Sequence, residues 1–293
     1  TKIAFADTVQ ETRALGELVI QCVMMLLLFL LCFLLVSIFL ARWALKPVEK
    51  AWEQQNQFIA DASHELKTPL TVILANLRIL LSHKDASIHD ELQWVESTQE
   101  EAGRMKKLVE NLLFLARSDA KSTPMVYSTF SFSDLILGCL LTFEPVAFEQ
   151  GVMIEDEISD DIFISGDAPQ IRQLVAILLD NACKYAGIAD VLEKSGSSDK
   201  KVTVTLTSEN EKIKLTVHNT GKAIPEEDLP HLFERFYRTD KSRARTDGGY
   251  GLGLAIAQTI AKNHRAKITV VSAKNLGTSF TVTFPVSKEK ESA

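Results

Sequence analysis

From residue 18 to residue 41 the chain carries no charged side chain, and Leu, Phe, Val and Met fill most positions. That run exceeds the ~20 apolar residues a helix needs to cross a ~30 Å hydrocarbon core. A cleaved signal segment would be shorter and would end on small residues, whereas Arg42 and Trp43 follow here. A buried core helix would keep some polar face, which this run lacks, so residues 18–41 are predicted to span a membrane. Arg42, Lys46 and Lys50 follow the span with no acid before Glu49, while Lys2 and Arg13 upstream are mixed with Asp7, Glu11 and Glu17. The positive-inside rule then places the C-terminal side in the cytoplasm of a cell-membrane protein, with Trp43 as an interfacial anchor. The sequence opens on Thr1, so residues 1–17 read as an extracytoplasmic or truncated N-terminal segment. If the segment is truncated, a sensor region and a further span are expected upstream.

The period then changes. Residues 42–57 read as a helical linker, interrupted or restarted at Pro47. Apolar residues next fall at Ile59, Ala62, Leu66, Leu70, Ile73, Leu77 and Leu80, in steps of three and four. A turn-rich patch over 82–87 breaks the pattern, which resumes at Ile88, Leu92, Val95, Ala102, Met105, Val109, Leu112 and Ala116. Two amphipathic helices over 58–118 make an antiparallel hairpin. Two narrow apolar stripes cannot enclose a core, so pairing of two hairpins into a four-helix bundle in a homodimer is expected. Residues 118–131 read as a linker. Beyond it, helices are predicted over 132–150, 169–186 and 254–263. Period-two alternation marks strands over 202–207, 213–217, 268–272 and 278–284. Residues 125–287 therefore read as an α/β two-layer sandwich.

The formal net charge of −6 provides no basic excess for phosphate backbones and argues against a nucleic-acid partner. Cys22 and Cys32 fall in the span, Cys139 and Cys183 in apolar surroundings, and none has metal-ligand or disulfide spacing.

The first hairpin helix contains Phe58-Ile59-Ala60-Asp61-Ala62-Ser63-His64-Glu65-Leu66-Lys67-Thr68-Pro69-Leu70-Thr71. His64 lies two residues, about 200°, from both Ala62 and Leu66, so it should face solvent. Lys67 and Thr68 share its face. Pro69 removes an N–H inside the helix and is expected to kink it beside the histidine. A lone surface His beside a proline would be unremarkable, but these fourteen residues together closely resemble the H box of the histidine-kinase family. The resemblance implies that His64 is the phosphoacceptor nucleophile and Glu65 the general base. An imidazole is substantially neutral near pH 7, leaving one nitrogen free to attack. By the same resemblance, Thr68 positions water for dephosphorylating a partner.

Four further segments point to one nucleotide site. Asn181, Lys184 and Tyr185 stand at i, i+3 and i+4 of a helix, offering on one face an oxygen, a cation and an aromatic ring. That set suits Mg²⁺ coordination by Asn181, phosphate neutralisation and base stacking, although an ordinary solvated helix can show the same face. The segment resembles the family's N box. Asn219-Thr220-Gly221-Lys222-Ala223-Ile224-Pro225 resembles the first glycine box, with Asn219 where the family usually has Asp and Ala223 where it has a second Gly. Alone, it reads as a turn. His231-Leu232-Phe233-Glu234-Arg235-Phe236-Tyr237-Arg238 resembles the F box, although its apolar residues would also suit core packing. Gly248-Gly249-Tyr250-Gly251-Leu252-Gly253-Leu254 opens a helix, where glycines and free N–H groups favour phosphates. No strand directly precedes it and no Walker-type lysine follows, which argues against a dinucleotide fold. It resembles the second glycine box. Lys241, Arg243 and Arg245 between these segments suit a mobile lid.

Taken together, the resemblance to a membrane sensor histidine kinase of two-component systems covers residues 57–284. It implies an ATP-binding domain of the histidine kinase, chaperone and topoisomerase ATPase superfamily. It also implies ATP and Mg²⁺ as cofactors, and transfer of phosphate from His64 to an aspartate in the receiver domain of a response regulator. Contacts to nucleotide would fall to Asn181, Lys184, Tyr185, Asn219, Gly221, Phe236, Arg238, Lys241, Arg243, Gly249, Gly251, Leu252 and Gly253. A chaperone- or topoisomerase-like ATPase would lack the H box. A degenerate nucleotide-binding scaffold without phosphotransfer would keep the fold but leave His64 unlabelled.

Overall fold

The computed structural model describes residues 2–83, 85–120, 125–186, 200–209, 212–239, 249–274 and 276–285, with side chains from residue 12 onward. Its first helix, α1 (Lys2–Ser82), runs through both Pro47 and Pro69, so the expected interruption at Pro47 is absent. The chain divides into two units, residues 1–60 and 61–293. In the first unit the apolar run is exposed all around its circumference. Among the described residues, one helix is long and apolar enough to cross a membrane. An all-round apolar helix with no protein cover suits lipid, because its backbone polar groups are satisfied internally.

In the second unit, residues 61–82 and α2 (Leu92–Asp119) form the hairpin. The covered seam of α1 runs through Ala62, Leu66, Pro69, Ile73, Asn76 and Leu80, in strict steps of four and three. Leu70 and Leu77, expected in the seam, are exposed instead, because Pro69 and Asn76 occupy the inward phase. On α2 the inward residues are Leu108 and Leu115, whereas Val95 and Val109 face outward. Asn76 is only 4% exposed. Burying its amide requires a partner, and Nδ2 donates to Ser97 Oγ at 3.0 Å across the hairpin. At the hairpin tip, His83 Nδ1 stands 2.8 Å from Glu91 Oε1.

The remaining chain forms the α/β sandwich. β1 (Ser128–Ser131) pairs antiparallel with β3 (Phe163–Gly166) in a small separate sheet. The main sheet has five strands in the order β2 (Met153–Ile158), β4 (Lys201–Glu209), β5 (Lys212–Asn219), β7 (Gly277–Pro285), β6 (Lys267–Ala273). Among the described residues, β2–β4 is its one parallel pair. The expected 118–131 linker is shorter than the sequence suggested: α2 persists to Asp119 and β1 takes its last four residues.

Alternation in the central strands explains the layering. Val202, Val204, Leu206, Ile213, Leu215, Val217, Phe280, Val282 and Phe284 are buried on one face. The opposite face carries a cross-strand row of Thr205, Thr216, Thr281 and Thr269. The buried face packs against α3 (Phe132–Glu149), α4 (Ala168–Tyr185) and α5 (Gly253–Asn263), with Phe132 and Phe284 meeting edge to face at 5.3 Å. Caps define two of these helices: Ser131 Oγ accepts from Asp134 N–H at 3.1 Å, and Asp167 Oδ1 from Gln170 N–H at 3.1 Å.

Candidate functional site

His64, Lys67 and Thr68 are exposed on one face of α1, as their spacing requires, with Glu65 half-buried beside them. Pro69 is buried and offers no N–H to the Glu65 carbonyl. Around it, side chains turn back on the helix: Thr71 Oγ1 donates to Lys67 O at 2.8 Å and Thr68 Oγ1 approaches His64 O at 3.5 Å.

The second site forms where the C-terminal end of α4 meets three loops. Asn181 and Lys184 are half-buried there and Tyr185 is exposed, with Lys184 Nζ 5.6 Å from the Tyr185 ring centroid. The first glycine box touches this helix end so closely that a Cβ on Gly221 would stand 2.3 Å from Tyr185 O. Only glycine permits that approach. Lys184 Nζ lies 3.3 Å from where a Cβ on Gly249 would sit. The F box holds the second glycine box by backbone: Phe236 N–H donates to Gly251 O at 3.0 Å, and Arg238 Nη1 donates to Gly249 O. Phe236 takes φ 63° and Gly251 φ 70°, so both sides of this contact use left-handed backbone. Leu252 precedes α5 and no side chain caps the helix, leaving its first-turn N–H groups available for an anion. Gly253 stands against Ile177 of α4.

Asn219, at the end of β5, is buried and its Nδ2 donates to Thr220 O at 3.4 Å. Opposite it in the ladder stands buried Thr278, which the sequence reading did not single out. Its hydroxyl lies 2.7 Å from Ser272 Oγ, which accepts from Ile224 N–H at 2.9 Å. These residues tie the first glycine box to β6 and β7. The available signal was Gly277 just before it: its φ of 76° and a would-be Cβ 2.2 Å from Asn219 O require glycine at this strand start. Lys241, Arg243, Arg245 and Gly248 lie outside the described residues.

Electrostatics connect the two sites. Burial pushes the Tyr250 phenol up from its ordinary range, with the Glu101 and Glu65 carboxylates adding to the shift and Arg104 opposing it. A glycine-box residue thus lies in the field of carboxylates from both hairpin helices, one of them, Glu65, next to His64 in sequence. Tyr237 donates to Asp228 Oδ1 at 2.5 Å, which, with burial, pushes its hydroxyl up to about 12 and anchors the F-box turn.

The cradle fits a magnesium nucleotide on this geometry. Lys184 Nζ lies beside Gly249, the start of α5 carries no side-chain cap, and Asn181 supplies a neutral oxygen on the same face of α4 as Lys184.

Residues 54–121 match the His Kinase A (phospho-acceptor) domain, and residues 166–288 match the Histidine kinase-, DNA gyrase B-, and HSP90-like ATPase family. Sensor histidine kinase RppB of Synechocystis sp. is 34% identical over 249 residues, 84% of this chain and 52% of that protein. The chain belongs to the sensor histidine kinase family. It spans about half the length of the curated histidine kinases it matches. Among solved histidine kinase structures, AdeS of Acinetobacter baumannii superposes with a TM-score of 0.61 at 21% identity, covering 76% of this chain and 98% of that one. ThkA in complex with the response regulator TrrA gives a TM-score of 0.59 at 22% identity, covering 80% of this chain and 62% of that one. Both likenesses concern the fold.

Proposed function

We propose that this histidine kinase uses Mg-ATP to phosphorylate its own His64 and passes the phosphoryl group to an aspartate of a response-regulator receiver domain. The observation that carries the reading is an exposed His64 with Glu65 beside it on α1, in the same compact unit as the cradle where Lys184 meets Gly249. Glu65 takes the imidazole proton as a ring nitrogen bonds to the γ-phosphorus, and the bond to the ADP oxygen breaks. Lys184 and the α5 N-terminus bind the phosphates, and Tyr185 and Asn219 face the base. Asn181 would hold Mg²⁺, which supplies charge neutralisation across the phosphates. Thr68, exposed one turn from His64, is suited to holding water during regulator dephosphorylation. The regulator partner follows the family likeness and the ThkA–TrrA assembly.

The apolar helix anchors the protein in a membrane with the kinase domains in the cytoplasm, and the hairpin pairs with a second copy. The decisive experiment is incubation of the full chain, in lipid nanodiscs, with labelled ATP. Acid-labile label should appear on the wild type and be absent from His64→Gln, which should still bind nucleotide. Label retained in His64→Gln would remove His64 from the reaction.

A further inference from the structure

The ATPase domain touches the far end of α2 through a small polar cluster. Arg235 Nη2 donates to Asp119 Oδ1 at 2.7 Å and Oδ2 at 2.8 Å, joining the F box to the last residue of α2. Next to it, Asn263 Nδ2 at the end of α5 donates to Ser118 Oγ at 3.2 Å. The Asn263 carbonyl in turn accepts from Tyr127 OH at 2.8 Å. The end of α5 is itself fixed. His264 Nδ1 donates to Ile260 O at 2.8 Å, and Nε2 accepts from Asp167 N–H at 3.0 Å, tying it to the start of α4. Gly166 makes room for that ring, since a Cβ there would stand 2.7 Å from His264 Cδ2.

Arg235 immediately precedes Phe236, whose N–H holds the Gly251 carbonyl. The Asp119 carboxylate is therefore one residue of backbone away from the strand of chain that shapes the phosphate cradle. A second point of approach lies higher on the same helix, where Tyr250 stands in the field of Glu101 and Arg104. Positions 101 and 119 are about 27 Å apart along a helix. Two separated points on one helix fix the direction of the domain as well as its attachment.

We propose that Asp119 and Arg235 form a positioning clamp that orients the ATPase domain along α2 so that its phosphate cradle faces the H box. Neither residue touches substrate; both act through the placement of Gly249 and Gly251. The pair is partly open to solvent, with 29% side-chain exposure for Arg235 and 52% for Asp119. Such a pair biases an equilibrium by only a few-fold. That strength suits a contact which must release and re-form as the kinase moves between nucleotide binding and phosphotransfer. The clamp rests on the histidine kinase reading above.

The test uses the full chain in nanodiscs and the variants Asp119→Arg, Arg235→Asp and the two combined. Asp119→Arg should lower the initial rate of His64 labelling about three- to fivefold at saturating ATP, with the KM for ATP changed less than twofold. The charge-swapped double variant should return to within twofold of the wild type, which a merely structural role for either residue would not predict. Titration with a fluorescent ATP analogue checks that each variant keeps a folded pocket, and the milder Asp119→Asn should shift the rate in the same direction. Labelling by Asp119→Arg at or above the wild-type rate would overturn the clamp, as would a swapped variant no faster than the single ones. Absence of label on the wild type would overturn the histidine kinase reading instead.

Discussion

Asn219 is 4% exposed at the end of a central strand, and its amide donates to the carbonyl of the next residue. A carboxylate at this position could not make that bond; it would set an oxygen against the Thr220 carbonyl until a donor from the ligand arrived. An adenine amine is such a donor, and a charged acceptor strengthens the bond roughly twofold over a neutral one. Asn219→Asp should therefore tighten ATP by about 1 kcal/mol, the usual net size of one hydrogen bond, while destabilising the empty domain. It should also sharpen discrimination against GTP, whose carbonyl a carboxylate repels and an amide can accommodate. Calorimetric titration of both nucleotides reads this directly, and unchanged or weaker ATP binding would mean that Asn219 does not meet the base. The position itself was legible as a departure from the family pattern. Thr278 was not, because the register placing it opposite Asn219 joins strands almost sixty residues apart and leaves no local period.

Leu70, Leu74, Leu77 and Leu81 on α1, with Val95, Val109 and Leu113 on α2, stay exposed after the hairpin has closed. A stripe this long on a folded element marks an interface. Leu74→Glu with Leu77→Glu should convert the protein from dimer to monomer by sedimentation equilibrium while leaving nucleotide binding intact; a dimer that persists would put the contact elsewhere. The inward seam was displaced from expectation by Pro69 and Asn76, two residues a hydropathy pattern scores as breaks. β2 was missed because Met153, Glu155 and Glu157 are all exposed and Asp156 separates its two isoleucines, so no alternation signals an edge strand. In the β5–β7 ladder, His218 Nδ1 lies 3.0 Å from Ser279 Oγ. Burial lowers its pKa, with the Lys201 charge adding to the effect. Between that lowered value and the ordinary ~6.5, the unfolded chain binds a proton that the folded one refuses, so stability falls as pH drops through this window and is complete above it. His218→Gln should lose less thermal stability than the wild type between pH 7 and pH 5.5 in melting measurements; equal losses would assign the pH dependence to other groups.

For the molecule as a whole, the proposed dimeric kinase could use the ATP of either protomer for a given histidine. The boxes that meet at the end of α4 come from segments up to seventy residues apart, and their convergence could be anticipated only from family resemblance. The placement of the ATPase domain on the hairpin was outside anything a period can show, because it depends on side chains such as Arg235 and Asp119 that look like ordinary surface charge. Within one chain, Arg235 holds the end of α2, and Tyr250 stands in the field of Glu101, Arg104 and Glu65. With the domain held to α2 of its own chain, phosphorylation in cis is the expected outcome. Mixed dimers decide it, because His64→Gln removes the acceptor and keeps the nucleotide site, while Asn181→Ala removes the proposed Mg²⁺ ligand and keeps the acceptor. In cis transfer each protomer of the mixed pair lacks one half of the reaction, and the pair should stay unlabelled, as dark as either variant alone. Transfer in trans would bring a complete site together in the mixed dimer and restore up to about half of the wild-type label, all of it on the Asn181→Ala chain. Such labelling would show that the domain leaves α2 of its own chain to reach the partner.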